Sequence, residues 1–439
     1  MNGDENILAE RMADDALSTV GTAPEKKHCA LLWDESFLWG IMAWRALQDA
    51  GLPFELLRAE EVRRGELVRY RMLFVPGGWA SNKRVALGER GCGEIRRFVE
   101  AGGSYLGICG GAGLATREEI ALLPVRRKSS SQRVASFSGG IRVNTAEHPI
   151  WRGVRAPIFT AWWPSQLAID DPSVRILAAY EEAQPEAFSS DISVENGESQ
   201  GWPALEARYG ILLNPGRLRG EPAVLEGRCG RGKVVLSMLH FDTPDDPNGE
   251  MVLRNLWRHL TAADLPAPPA ADNHVPSGEP RPGLPPDIRL MLAEIRACVE
   301  GLIAAGQSFL LWGWRNSFLL RWRRGVRGLE YSTLFVMIRE IQTLLTGDLR
   351  NLGAFDAVRL RGDLQEIRQQ LVPFVDRAKH LLDREGCYLQ TGSLTPLHCD
   401  DQEIQSLRRD LFGSAMSHGG AFKCLIDAVD RLWLSLVRG

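Results

Sequence analysis

The sequence predicts an α/β protein, a mostly parallel sheet with helices on both faces, followed by an all-α helical bundle. Three observations carry that prediction. Between residues 26 and 109, short apolar runs alternate with amphipathic helical stretches, the βα order that builds parallel sheets. The stretch LPAPPAADNHVPSGEPRPGLPPD is rich in Pro and lacks apolar periodicity, as a semi-rigid linker does. Beyond it nearly every segment has helical spacing.

In order, residues 1–25 are acidic and without periodicity and read as a disordered tail. HCALLWD is a first strand, FLWGIMAWRALQDAG a helix closing on Gly51, FELLR and YRMLFVP two more strands, EIRRFVEAGG a helix, and SYLGIC the next strand. From 117 to 240 the texture is strand-rich: RVASFSGGIRVNT contains a hairpin-like SGG, and IFTAWWPSQLAI, VRILAAYEE and YGILLNP are short extended candidates. PAVLEGRCGRGKVVLSMLHFD reads as two strands joined by a glycine-rich turn, and GEMVLRNLWRHL closes the domain near residue 262. The expected division is a tail at 1–25, an α/β domain at 26–262, a linker at 263–287 and a helical domain at 288–439.

A chain of 439 residues has room for two or three domains. With 44% hydrophobic and 24% charged residues it is globular, and its net charge of −3 gives no global pull toward nucleic acid or anionic lipid. The 8 cysteines are scattered without a CxxC, which fits neither a disulfide framework nor zinc spacing, and no cofactor or metal is expected. The opening residues lack a signal-peptide pattern and no stretch reads as transmembrane, so the expected location is cytoplasmic.

Chemistry concentrates in SYLGICGGAGLA, where an apolar strand runs into Gly107-Ile108-Cys109-Gly110-Gly111 and then a small-residue helix start. A tight strand-to-helix turn with small neighbours lets a nucleophile stand clear of the sheet edge. Backbone N–H groups at a helix start can receive a developing oxyanion. Cys109 is thus the candidate nucleophile. A thiol of this kind needs a base and a group that orients the base. VVLSMLHFD places His240 at a strand end with Asp242 two residues on, on the same side of an extended chain. In Val75-Pro76-Gly77-Gly78-Trp79, at another strand end, glycine lets the backbone approach a substrate and offer further N–H donors.

In this order the three features resemble the class I glutamine amidotransferase-like superfamily, and within it most of all the amidotransferase-like domain at the N-terminus of some biotin-protein ligases. PGGW, GICGGAGLA, PAVLEG, GRGKVVLS and HFD carry the resemblance, which covers residues 26–262. It implies a flavodoxin-like doubly wound sheet with Cys109 as nucleophile, His240 as base and Asp242, where the family usually has Glu, as orienting acid. Gly77, Gly78 and Gly110 fall on the oxyanion-hole positions. Related families also use an acid from the first strand end, which makes Glu35 a candidate. Trp79, with Trp162 and Trp163, is a candidate pocket wall on its residue type alone, with core packing the alternative. Glutamine hydrolases of this class usually carry a substrate-contacting Gln where Gly113 stands here.

Two readings remain open. One is a Cys-His-Asp hydrolase acting on an amide or related acyl bond. The other is a non-catalytic small-ligand or regulatory module whose helical domain docks a protein partner. GRCGRGK matches the first part of a P-loop, but Val234 replaces the required Ser or Thr and a strand follows. FLLWGWRNSFLLRWRRGVRG, which joins three Trp to five Arg, reads as a bundle helix with one basic face.

Overall fold

A computed structural model describes residues 26–264, 284–346, 356–392, 394–395, 399–413 and 418–438. The acidic tail read at 1–25, and most of the Pro-rich linker, lie outside the described residues.

Strand β1 (Lys27–Leu32), helix α1 (Leu38–Asp49), β2 (Glu55–Leu57), α2 (Ala59–Arg63), β3 (Tyr70–Val75), α3 (Ala80–Glu100), β4 (Ser104–Ile108) and the single-turn helix α4 (Gly110–Leu114) follow the expected alternation. Gly51, at φ 63°, ends α1 in the left-handed conformation that glycine adopts without strain. Next come β5 (Val125–Arg127), β6 (Phe137–Thr145), β7 (Ile158–Trp162), β8 (Leu167–Ile169), β9 (Arg175–Ala183), β10 (Phe188–Ser189) and β11 (Ile192–Ser193). Helices α5 (Val194–Gln200) and α6 (Trp202–Tyr209), strands β12 (Pro222–Cys229) and β13 (Gly232–Ser237), and helix α7 (Pro247–Thr261) complete this part.

One mixed sheet holds eleven strands. Its centre is a parallel block in the order β2-β1-β3-β4-β13. From β13 the sheet continues antiparallel through β12, β9, β6 and β10 to β11, with β7 paired to β6. The block's strands are buried nearly end to end, as expected of strands covered on both faces. β3 ends at PGGW, β4 at Cys109, and β13 leads to His240, so three separate segments meet at one carboxyl edge.

Two local expectations are corrected. The SGG of RVASFSGGIRVNT is no hairpin: it lies inside the continuous strand β6, paired on both sides. YGILLNP is no strand either; it follows α6 as a turn and a short 3-10 segment at Pro215–Leu218.

The C-terminal part comprises α8 (Pro286–Ser308), a hairpin of β14 (Trp312–Trp314) and β15 (Leu320–Trp322), α9 (Gly328–Thr346), α10 (Ala357–Thr391), α11 (Gln402–Phe412) and α12 (Gly420–Arg438). The hairpin replaces the helix expected at FLLWGWRNSFLLRWRRGVRG. Its cause is Asn316, whose Oδ1 accepts the N–H groups of Phe318 and Leu319 at 2.8 Å each, the side-chain turn mimicry that makes Asn a helix breaker.

This helical part is seated on the α/β part. Arg45 pairs with the buried Glu340 at 2.7 Å, Arg438 with Glu61 at 2.6 Å and Lys423 with Glu35 at 3.0 Å, while Trp433 packs between Trp33 and Trp44. No helix among the described residues is long and apolar enough to cross a membrane.

Candidate active site

Cys109 occupies the turn between β4 and α4 at φ 51°, ψ −105°, a strained conformation for a side chain with a Cβ. Two contacts hold it. Its N–H donates to Ser237 O at 2.7 Å, tying the turn to the end of β13, and its carbonyl accepts from Gly113 N–H at 2.9 Å. The thiol is partly exposed and directs its own hydrogen bond to Trp162 O at 3.7 Å.

His240 sits in the loop after β13 rather than at the strand end, held by its N–H to Thr160 O at 2.8 Å. The pairing with Asp242 therefore comes from a turn, not from an extended i, i+2 spacing. His240 Nδ1 lies 2.9 Å from Asp242 Oδ1, and both side chains are fully buried. A carboxylate on Nδ1 holds the proton there and leaves Nε2 as the basic atom. Nε2 is buried without a hydrogen-bond partner. Burial disfavours the imidazolium, but the charge and hydrogen bond of Asp242, with a smaller contribution from Cys109, outweigh it and raise His240 to about 9.

The Gly77-Gly78 loop touches both groups. A methyl on Gly77 would lie 3.2 Å from His240 Cε1, and one on Gly110 would lie 1.8 Å from Gly78 O. Only glycine allows that second approach. Gly78 itself has φ 107°, and its missing Cβ would meet Glu35 O at 2.7 Å.

Cys109, His240, Asp242, Gly77, Gly78 and Gly110 are thus gathered at one point. Glu35 reaches it through its backbone carbonyl; its carboxylate pairs with Lys423 of α12 and accepts from Asn82 Nδ2 at 3.3 Å. Trp79 stands half-buried at the start of α3.

Two neighbours escaped the sequence reading. Trp39 of α1 covers the His240 ring at a centroid distance of 4.9 Å, yet its helical spacing looks like core. Lys83 of α3 is fully buried and donates to Ser36 Oγ and to Glu35 O at 3.2 Å. Burial brings Lys83 down to about 7, against the charges of Glu35, Asp34 and Cys109.

Away from this edge, His148, Glu226 and His259 form a group whose ligand atoms lie within 4.8 Å of one another. Ile150 N–H donates to His148 Nδ1. Glu226 takes the hydrogen bond of His259 Nε2 at 2.6 Å and stands 3.5 Å from His148 Nε2, so the carboxylate is shared between the two imidazoles.

No protein-family model matches the chain, and no curated protein does. Solved structures resemble it only faintly. A protein from Thermoplasma acidophilum, provisionally described as one of the subunits of GMP synthase, shares 13% identity over 54% of this chain and 96% of its own, with a TM-score of 0.35. A β-galactosidase from Bacillus circulans sp. alkalophilus shares 11% over 56% of this chain and 33% of its own, at 0.34. A ThuA-like protein from Parabacteroides merdae shares 11% over 54% and 91%, also at 0.34. Likenesses of this size say nothing about chemistry, which rests on the residues themselves.

Proposed function

We propose that the chain is a cysteine-dependent, amidotransferase-like hydrolase acting on an amide or related acyl bond through Cys109, His240 and Asp242. The observation that carries this reading is the buried His240, its Nδ1 tied to Asp242 and its Nε2 unbonded, beside a thiol on a strained turn. We further infer that residues 26–262 form a flavodoxin-like domain of the biotin-protein ligase N-terminal type. Its support is the block order β2-β1-β3-β4-β13 together with the PGGW and GICGGAGLA motifs. The described cysteines are all free, which favours a reducing, cytoplasmic setting.

In this mechanism the Cys109 proton passes first to His240 Nε2, whose hold on it Asp242 strengthens, and the sulfur then attacks the acyl carbon. The carbonyl oxygen becomes an oxyanion facing the N–H groups of the Gly78 and Gly110 segments. His240 returns the proton to the departing amine as the C–N bond breaks and a thioester forms. Water, deprotonated by His240, then attacks the thioester and releases the acid, and the proton returns to sulfur. Asp242 fixes the ring tautomer throughout. With Gly113 at the glutamine-contact position, the substrate assigned is an acyl compound other than free glutamine.

The experiment is turnover of p-nitrophenyl acetate with mass analysis of the trapped enzyme. The expected result is a nitrophenol burst and an acetyl group on the Cys109 peptide, both lost in Cys109→Ser. A burst unchanged in that variant would contradict the reading.

The binding-module reading draws on a different feature, the cavity between the two parts of the chain.

A further inference from the structure

A cavity of about 680 Å3 opens between the α/β part and the β14–β15 hairpin, a size that suits a small-molecule site. Among the described residues its lining includes four arginines, Arg133, Arg315, Arg321 and Arg324, and no Asp or Glu. Two acids act on these arginines from outside the lining: Glu186, whose charge reaches Arg315, and Asp191, which accepts from Tyr209 Oη at 3.1 Å and Arg324 N at 3.2 Å and pairs with Arg323 at 3.4 Å.

The arginines are held in place but not neutralised. Arg315 donates to Ser138 Oγ at 2.8 Å and Ser138 O at 2.6 Å and stacks over Trp162 at 4.8 Å. Gly139 makes that possible, since a methyl there would lie 2.4 Å from Arg315 Nη2. Arg324 gives Nη2 to Tyr209 O at 2.8 Å, while its Nη1 is buried and unbonded. Arg133 Nε is likewise buried and unbonded. Burial holds Arg133, Arg324 and Arg315 below the usual guanidinium range, with Arg321 adding to the effect at Arg315. Buried N–H donors of a cation without an acceptor are costly, and an oxyanion is the group that satisfies them.

The apolar wall comes from Trp163 and Trp322, whose ring centroids are 5.2 Å apart. The same wall leads to the thiol. Trp163 meets Trp39 at 6.2 Å, Trp39 covers His240, and Cys109 bonds the carbonyl of Trp162, the residue beside Trp163.

We propose that this cavity binds a small organic anion, its carboxylate or phosphate taken by the arginines, Arg133 and Arg324 foremost, and its apolar body lying against Trp163 and Trp322. The site stands on its own residues; that its ligand is the acyl substrate presented to Cys109 rests on the triad reading above.

The test uses the full chain and three probes, phenyl phosphate, benzoate and the neutral benzamide, followed by calorimetry and tryptophan fluorescence. Saturable binding of at least one anionic probe is expected, with benzamide weaker by about tenfold or more. Comparing phenyl phosphate with benzoate tells which oxyanion is preferred. Arg133→Gln and Arg324→Gln should each weaken the bound anion by about tenfold. Arg321→Gln, at an exposed guanidinium, should weaken it too and spares the buried framework. Cys109→Ser should bind as the parent does, and the anion should slow alkylation of Cys109. Benzamide binding as tightly as the anions, affinity unchanged in the arginine variants, or no binding of either anion overturns the proposal. Anion binding with an unreactive Cys109 leaves the site standing and removes only its link to catalysis. A reactive Cys109 without anion binding does the reverse.

Discussion

Trp33, at the end of β1, and Trp433 of α12 stack with ring centroids 4.1 Å apart and planes 7° from parallel, both rings fully buried. The Trp33 indole also donates to Asp430 Oδ1 at 2.9 Å. This pair joins the first strand of the sheet to the last helix of the chain. Trp433→Ala removes a buried ring and leaves a cavity, so a loss of about 3 to 5 kcal/mol is expected. Urea denaturation measures it; a change below about 1 kcal/mol would show that the two parts do not depend on each other.

Asp430 makes that seam sensitive to pH. Burial, with the Asp34 charge assisting and the Trp33 and Arg58 partners opposing, raises its carboxyl from 3.8 to about 7. The folded chain then binds a proton between those values that the unfolded chain has released. Its contribution to stability is present at the acid end of that window and is lost as pH rises through about 7. Asp430→Asn keeps an oxygen for the Trp33 N–H and does not titrate. The difference in stability between parent and variant should therefore shift in the variant's favour from pH 5 to pH 8, and a difference that does not change with pH contradicts the assignment.

Gly110→Ala places a methyl 1.8 Å from Gly78 O, so the nucleophile turn and the Gly77-Gly78 loop must separate. A destabilisation of about 2 to 4 kcal/mol is expected, with loss of any enhanced reactivity at Cys109. Gly93→Ala, in α3, provides the contrast, because an added Cβ there meets nothing within 4 Å. It should be neutral or slightly stabilising by helix propensity. Similar outcomes for the two variants would mean the close approach is unimportant.

Asp242→Asn removes the main influences that raise His240. Cys109 alkylation in the parent should keep its imidazolium-assisted character up to about pH 9, and the variant should lose it at lower pH. The readout is the pH profile of the alkylation rate. Identical alkaline limbs would contradict the pairing as a functional one.

How much of this was legible in the sequence follows from how local each cause is. PGGW and GICGG could be read because a tight turn and a close backbone approach demand glycine there, HFD because a base and its orienting acid stand two residues apart after an apolar run, and the meeting of strand ends follows from the parallel pattern. The SGG of β6 could not be read, because Gly139 is small on account of Arg315, a residue far along the chain. The basic aromatic run looked helical because Asn316 acts through side-chain hydrogen bonds to backbone N–H groups rather than through periodicity. Trp39 left one faint signal, FLWG directly after the Asp34-Glu35-Ser36 strand end, and Lys83 left none.

The central claim is that Cys109 is made reactive by His240. Cys387 and Cys424, both exposed, are internal references in the same chain. The most direct measurement is the rate of iodoacetamide alkylation at each cysteine, followed by peptide mass spectrometry in the parent and in His240→Ala. Cys109 is expected to alkylate well ahead of Cys387 and Cys424 although it is less exposed, and to lose that lead in His240→Ala. Alkylation of Cys109 no faster than at the two exposed thiols, or a lead that survives the loss of His240, would contradict it.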